Sequence, residues 1–353
     1  MIELDGSYLE GGGQIIRTAL ALSMITQKPF TVTNIRQGRP KPGLKAQHLS
    51  CIKALMQLTN NKAKASGAEL GSTKLIFLPA KITKSKIEID IGTAGSITLL
   101  LQSLLPPLVM HDKRSALTII GGTDTKWSPS YDYLKQIIIP QLKKYANIEL
   151  NLLKRGFYPK GGGKIELKIK PHKIENLPEI NLIEQGDLMH ISGKSFASQS
   201  LMNAKVAERQ AHAAASILKR ELNEFPHINI NSEYNDTFST GSGITLWAIF
   251  KNKQNEEEVY PIRIGSDALG EKGISSENVG KSCAEKLLSE IYENAPVDVH
   301  LADNLIPFLA IAGGEIKVSS ISNHTLTNIY TTEMFLNKKF DVEKDKKVIK
   351  YMN

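Results

Sequence analysis

Apolar positions along this chain switch between two periods, and the switches come in a recurring order. Ile2 to Leu4 is a short extended run, after which EGGGQIIRTALALSMI (Glu10 to Ile25) has the spacing of a helix opened by glycines. Phe30 to Ile35 returns to the two-residue period of a strand. From Leu44 to Leu58 the helical spacing resumes with Leu49, Ile52, Leu55 and Met56 on one stripe, and Lys74 to Leu78 supplies a closing strand.

This order of glycine-started helix, strand, second helix and strands recurs at a spacing of very roughly 85 residues, which marks a repeated unit. A second copy runs from KIEIDIG at Lys86 through the helix GTAGSITLLLQSLL (Gly92 to Leu105), the strand ALTIIGG (Ala116 to Gly122) and a helix from Tyr131 to Tyr145. Strands near Ile148 to Leu153 and Lys164 to Ile169 close it. A third copy is read in ADNLIPFLAIAGG (Ala302 to Gly314), EIKVSS (Glu315 to Ser320) and the helix HTLTNIYTTEMFL, with its opening strand displaced to about Glu179 to Ile183.

The stretch between has its own rhythm. Leu188 to Gly193 reads as strand, Leu201 to Leu222 as a long Ala-rich helix, and Ile228 to Asn231, Thr245 to Lys251 and Val259 to Ile264 as strands. Ser275 to Tyr292 is an amphipathic helix with Val279, Cys283, Leu287 and Ile291 on one stripe. At 353 residues the chain is too long for one core to serve comfortably. The expectation is therefore an α/β (α+β) protein with a large domain at 1–183 and 295–353, built of three repeats, and a small α+β domain at 184–294 inserted in the third.

Composition adds two exclusions. No window approaches the roughly 18 apolar residues of a membrane span, and Met1-Ile2-Glu3-Leu4-Asp5 lacks the basic start of a secretory signal, so no membrane partner and a cytoplasmic location are expected. Cys51 and Cys283 each sit inside an apolar helical pattern and read as core residues, not as a disulfide or a thiolate metal site. Charge changes the picture more. Lys and Arg number 44 against 36 Asp and Glu, a net +8 that fits a polyanionic partner such as nucleic acid or a nucleotide. Part of that excess lies in Lys338 to Lys350, better read as a solvated face or an edge strand.

Five segments carry candidate chemistry. Glu10-Gly11-Gly12-Gly13-Gln14 with Arg17 opens a helix, where glycines admit a ligand to the backbone and free amides attract phosphate oxygens; Glu10 could hold a divalent metal. IRQGRPKPGLKAQH (Ile35 to His48) gathers Arg36, Arg39, Lys41, Lys45 and His48 in a loop stiffened by Pro40 and Pro42, a candidate phosphate clamp. GGTDTKWSPSYDY (Gly121 to Tyr133) offers Asp124, Trp127 and Pro129 at a strand-to-helix junction. RGFYPKGGGK (Arg155 to Lys164) is a second triple-glycine turn, explained equally by hairpin geometry and by phosphate binding. In SNHTLTN (Ser322 to Asn328), His324 stands at a strand end and helix start without zinc-ligand spacing around it. A lone histidine in such a place is more often structural than catalytic.

Taken in order, EGGGQIIR, RPKPGLKAQH, Gly92 to Ser96, GGTD, RGFYPKGGG, Leu301-Ala302-Asp303 and HTLTN closely resemble the RNA 3′-terminal phosphate cyclase family across nearly the whole chain. The resemblance implies three βαβαββ units, similar to the C-terminal domain of translation initiation factor three, with an inserted small domain of thioredoxin-like topology. It also implies an ATP-consuming enzyme, with a divalent metal (Mg or Mn), that converts an RNA 3′-phosphate end to a 2′,3′-cyclic phosphate through a histidine adenylate. By match to the family, that histidine is His324, Glu10 contacts the metal, and Arg17, Arg36, Arg39 and Gln47 contact phosphates. Asp303 matches an essential acid beside the histidine, while Gln102 and Pro129 fall where the family lines its adenine pocket. Bacterial members place a tyrosine three residues before that aspartate; here it is His300, which could stack on a purine or be structural. Two alternatives stay open: a cyclase-like factor in ribosomal RNA processing without catalysis, and an enolpyruvyl transferase built from related repeats, whose patterns are not found in the basic loop or the histidine segment.

Overall fold

The computed structural model describes residues 1–9, 11–173, 175–223, 227–251 and 261–352. It is a mixed α/β protein with four sheets of four strands each. In the first, β1 (Ile2–Asp5) leads through α1 (Gln14–Thr26) to β2 (Phe30–Thr33), and α2 (Ala46–Leu58) leads to β3 (Lys64–Ser66) and β4 (Leu75–Leu78). The sheet order is β1-β2-β4-β3, with β1 and β2 parallel and the other neighbours antiparallel.

The second sheet follows the same path. β5 (Lys86–Asp90), α3 (Ile97–Val109) and β6 (Ser115–Gly121) precede a helix composed of α4 (Tyr131–Tyr133), a π-helical stretch (Leu134–Ile138) and α5 (Ile139–Leu142). β7 (Ala146–Lys154) and β8 (Gly163–Pro171) complete the order β5-β6-β8-β7, again with only the first pair parallel.

β9 (Ile180–Leu182) is followed by β10 (Asp187–Ser198), α6 (Val206–Glu221), β11 (His227–Asn235), β12 (Ser242–Lys251), β13 (Ile262–Leu269) and α7 (Ser276–Tyr292); β10 to β13 form the fourth sheet, ordered β11-β10-β12-β13. Then α8 (Val299–Ala312), β14 (Gly314–Lys317), α9 (Asn323–Leu336), β15 (Asp341–Glu343) and β16 (Val348–Tyr351) return the chain to β9, giving the third sheet, β9-β14-β16-β15, with β9 and β14 parallel.

Packing follows the sequence pattern. Every α1 residue from Gln14 to Met24 is buried, because α1 is flanked by both α3 and α9. One continuous core runs from Leu4 to Tyr351 through the first, second and third sheets and takes in Trp247 and Ile249 of β12. A separate core under the fourth sheet joins Ile244, Leu246 and Ala248 to α6 and α7. Cys51 lies in the first core and Cys283 in the second, both buried and unbridged. Among the described residues no helix is long and apolar enough to cross a membrane.

Helix starts are set by side-chain caps. Ser96, Ser275, Asp298 and Ser322 accept amide hydrogens at the starts of α3, α7, α8 and α9, which satisfies donors that a helix end leaves over. The Ala-rich helix expected from Leu201 begins only at Val206, because Lys205 adopts a left-handed backbone (φ 49°) after a 3-10 turn at Gln199–Leu201. The strand expected at Val259 to Ile264 lies partly outside the described residues, and its described part belongs to β13. Lys338 to Lys350 holds β15 and most of β16, so the edge-strand reading of that basic stretch is the better one.

Candidate active site

α9 begins at the Ser322 cap, which puts His324 in its first turn, half-buried. Asp303, on α8, is buried against that turn: its Oδ1 accepts the Thr325 hydroxyl at 2.7 Å and the Ser322 hydroxyl at 3.0 Å. Burial pushes its carboxyl above the usual carboxylate range, and the Thr325 hydrogen bond, His324 and His300 pull the other way. Asn328, one turn along α9, donates to the Asp303 backbone carbonyl at 2.6 Å and accepts from Thr18 of α1 at 2.6 Å. Gln14, the first residue of α1, donates to the His324 carbonyl at 3.2 Å. Thus α1, α8 and α9 fix one another around His324.

The start of α1 lacks a side-chain cap at Gly13, so its first amides remain available to an anion. Around it stand the cations. Arg17 is 9% exposed, and burial draws its guanidinium down to about 10, still a cation at neutral pH. Burial, and then Arg39, lowers Arg36. Arg39 Nη2 lies 3.6 Å from where a Cβ on Gly12 would stand, and Arg17 Nη1 3.2 Å from one on Gly13. Arg36 Nε and Gln47 Nε2 are buried without a hydrogen-bond partner among the described residues. Buried donors of this kind are normally satisfied, so these two mark a place for acceptor oxygens.

His48 departs from the basic-loop reading. Its Nδ1 accepts the Lys45 amide at 3.0 Å, and its Nε2 would meet a Gly13 Cβ at 2.1 Å. Burial, and then Arg17, Arg36 and Lys45, depress it to about 3, so it is a neutral imidazole with its proton on Nε2. It closes the capping box of α2 and does not add to the positive charge.

On the far side of Arg17 a chain of hydrogen bonds reaches the expected adenine residues. Arg17 Nε donates to Gln102 Oε1 at 2.8 Å, Gln102 Nε2 to Asn304 Oδ1 at 3.3 Å, and Asn304 Nδ2 to the His300 carbonyl at 2.8 Å. His300 is exposed in the first turn of α8, its ring edge-on to Tyr133 with centroids 6.1 Å apart. Pro129 just precedes the start of α4, and its carbonyl accepts the Thr98 hydroxyl at 2.7 Å, one turn from Gln102 on α3.

Glu10, the expected metal contact, lies outside the described residues. Among the described residues no three His, Cys, Asp or Glu side chains gather to hold a metal. Magnesium commonly takes one or two carboxylates plus phosphate oxygens, so that donor set does not conflict with a metal carried on a triphosphate.

Parts of the two remaining motifs are used for packing. Arg155 is fully buried and pairs at 2.8 Å with Asp124, Asp132 and Glu233 while lying 3.8 Å over the Phe196 ring. It therefore ties the second sheet to β10 and β11 of the fourth. The glycines of the second triple-glycine turn serve close approach: a Cβ on Gly161 would strike the Thr93 carbonyl at 2.7 Å, and one on Gly162 the Phe238 ring at 2.2 Å. Sequence reasoning did not single out Asn304, whose partners Gln102 and His300 only the fold brings to it, nor the roles of Thr325 and Asn328, although both stand in HTLTN.

Known proteins are similar to this sequence over nearly its whole length. A family model described as RNA 3′-terminal phosphate cyclase matches residues 8–342. A protein named RNA 3′-terminal phosphate cyclase from Pyrococcus furiosus is 46% identical over 97% of this chain and 95% of its own length. One of the same name from Methanosarcina barkeri is 43% identical over 98% of this chain and 97% of its own. Matches of this identity and coverage establish that the chain belongs to the RNA 3′-terminal phosphate cyclase family.

Proposed function

We propose that this chain is an ATP-dependent RNA 3′-terminal phosphate cyclase and that His324 carries the AMP. The observation that carries this reading is the setting of His324: a half-buried imidazole in the first turn of α9, whose turn is seated by Asp303 and Gln14, beside a buried Arg17 and the uncapped start of α1.

In the first step an imidazole nitrogen of His324 attacks the α-phosphorus of ATP. An N–P bond forms, the bond from that phosphorus to the bridging oxygen breaks, and pyrophosphate leaves with its negative charge met by Arg17, Arg36, Arg39 and Gln47. Asp303 offsets the imidazole's developing charge and holds its helix turn in place. In the second step an oxygen of the RNA 3′-phosphate attacks the AMP phosphorus and the N–P bond breaks. In the third the neighbouring 2′-hydroxyl attacks the RNA phosphorus, closing the ring and releasing AMP; nucleophile and target share one ribose, a large proximity advantage.

The base of ATP would sit among Gln102, Pro129 and His300. A divalent metal on the triphosphate, with Glu10 as its protein contact, would neutralise charge there. The same reading takes the first, second and third sheets, with their common strand order, as three βαβαββ units, and 184–294, of thioredoxin-like topology, as a domain inserted in the third.

The test is incubation with ATP labelled at the α-phosphate and a divalent metal. Wild type should take up acid-labile label and close a 3′-phosphate RNA end, and His324→Ala should do neither. Equal labelling of His324→Ala would move the nucleophile elsewhere, and no labelling of wild type would leave a fold without this catalysis.

A further inference from the structure

A cavity of about 720 Å³ opens beside this site, between the Gly95 turn, the Asp124 to Trp127 segment, the Phe157-Tyr158 turn and the ends of β12 and β13. Its size is that of a ligand cleft. Gln47 belongs both to its wall and to the phosphate cluster, and a Cβ on Gly95 would stand 4.0 Å from Gln47 Cβ, so cavity and cluster are continuous.

Its rim is unusual in two ways. Trp127 is 93% exposed and Tyr158 is 77% exposed, two large rings given up to solvent on facing turns. Trp127 also holds a left-handed backbone (φ 62°), a conformation a bulky residue adopts only when its surroundings impose it. Lys272 on the opposite wall brings positive charge. Of the two acids in the wall, Asp124 is neutralised by Arg155, and Glu271 pairs with Lys126 at 2.6 Å.

Exposed rings beside lysines are the means by which proteins hold single-stranded nucleic acid: bases stack on the rings and phosphates follow the cations. We propose that this cavity is the track of the RNA strand, with Trp127 and Tyr158 as stacking platforms for the bases next to the 3′-phosphate and Lys272 on its backbone. The proposal rests on the cyclase reading, because continuity through Gln47 delivers the strand's end to the phosphate cluster. Stacking on a ring does not discriminate among bases, so the two platforms would hold single-stranded RNA of any sequence.

Trp127 reports on its own occupancy. The chain has two tryptophans, and the other, Trp247, is buried. A short single-stranded RNA with a 3′-phosphate should quench tryptophan fluorescence saturably in wild type. Trp127→Ala and Tyr158→Ala should each weaken its binding about tenfold, in proportion to the stacking lost. Trp127→Phe should keep most of the affinity and lose the signal. Labelling by ATP without RNA should be as in wild type, since both rings stand in solvent on segments other than those that carry His324 and the arginines. If wild type labels and cyclises but both alanine variants bind RNA as wild type does, the track is elsewhere and the cyclase reading stands. If labelling by ATP falls while RNA binding is kept, the cavity belongs to the nucleotide. Failure of wild type to label would instead remove the cyclase reading itself.

Discussion

The Thr325 hydroxyl donates to Asp303 Oδ1 at 2.7 Å, so the carboxylate on α8 is bound to the turn of α9 that bears His324. Thr325 is fully buried, and its replacement by Val keeps shape while deleting the donor. Thr325→Val should cost about 1–3 kcal/mol of stability and slow labelling by ATP, whereas Thr325→Ser should restore both. Thermal melting together with labelling rates checks this. Slower labelling with Val at an unchanged melting temperature would point to positioning of His324 alone.

Adjacent glycines at the start of α1 should respond oppositely. A Cβ on Gly13 would lie 2.1 Å from His48 Nε2, whereas one on Gly12 meets nothing nearer than 3.6 Å among the described residues. Gly13 already has a helical backbone (φ −72°), so contact and not strain opposes a side chain there. Gly13→Ala should therefore displace His48 or Arg17 and lower the labelling rate by about a hundredfold, the loss expected of an ångström-scale misplacement. Gly12→Ala should stay within a few-fold of wild type. Equal rates for the two would disconnect this turn from the chemistry.

Arg155 supplies a contrast, since its partners are carboxylates and not the phosphate cluster. Arg155→Met leaves Asp124 and Asp132 buried without their partner and should cost about 3–5 kcal/mol in a denaturant titration. Arg155→Lys should rescue little, because one ammonium cannot reproduce a planar fork meeting three carboxylates. The molecules that remain folded should still label with ATP. A stable but inactive variant would transfer Arg155 to the catalytic machinery.

His48 makes acid stability a local property. Its folded-state value is about 3 against an ordinary 6.5, so the folded state resists the proton that the unfolded chain accepts. Its contribution is full above about 6.5 and is lost as pH falls from there toward 3. His48→Gln should thus be inferior to wild type at pH 7 and approach it near pH 4. A stability difference that is constant over this window would show that His48 is not held neutral.

Most strands and helices could be read from periodicity, since their inward faces alternate as a half-buried strand or helix requires. β3 could not: Lys64–Ser66 is short, polar and at a sheet edge, without an apolar face to reveal it. In the site, the glycines and arginines announced themselves by type. Asn304 did not, because its value lies in touching Gln102, which is 202 residues away. His48 was read as a cation from its neighbours in the loop, and only the fold shows those same neighbours keeping it neutral. RGFYPKGGG was ambiguous for the same reason: the turn's glycines are explained by Thr93 and Phe238, which approach from other elements.

The parallel pairing of β9 with β14 has a consequence in time. About 130 residues, including the whole fourth sheet, separate the two strands. At the ordinary pace of translation, about 5–20 residues per second, a nascent β9 waits on the order of ten seconds for its partner. The first two sheets can close meanwhile, but α1 lacks the α9 flank that covers it and seats His324. On the proposed reading, the half of the pocket that grips phosphate is thus born well before the half that reacts with it, and a nascent chain would hold an anion site before it holds its nucleophile.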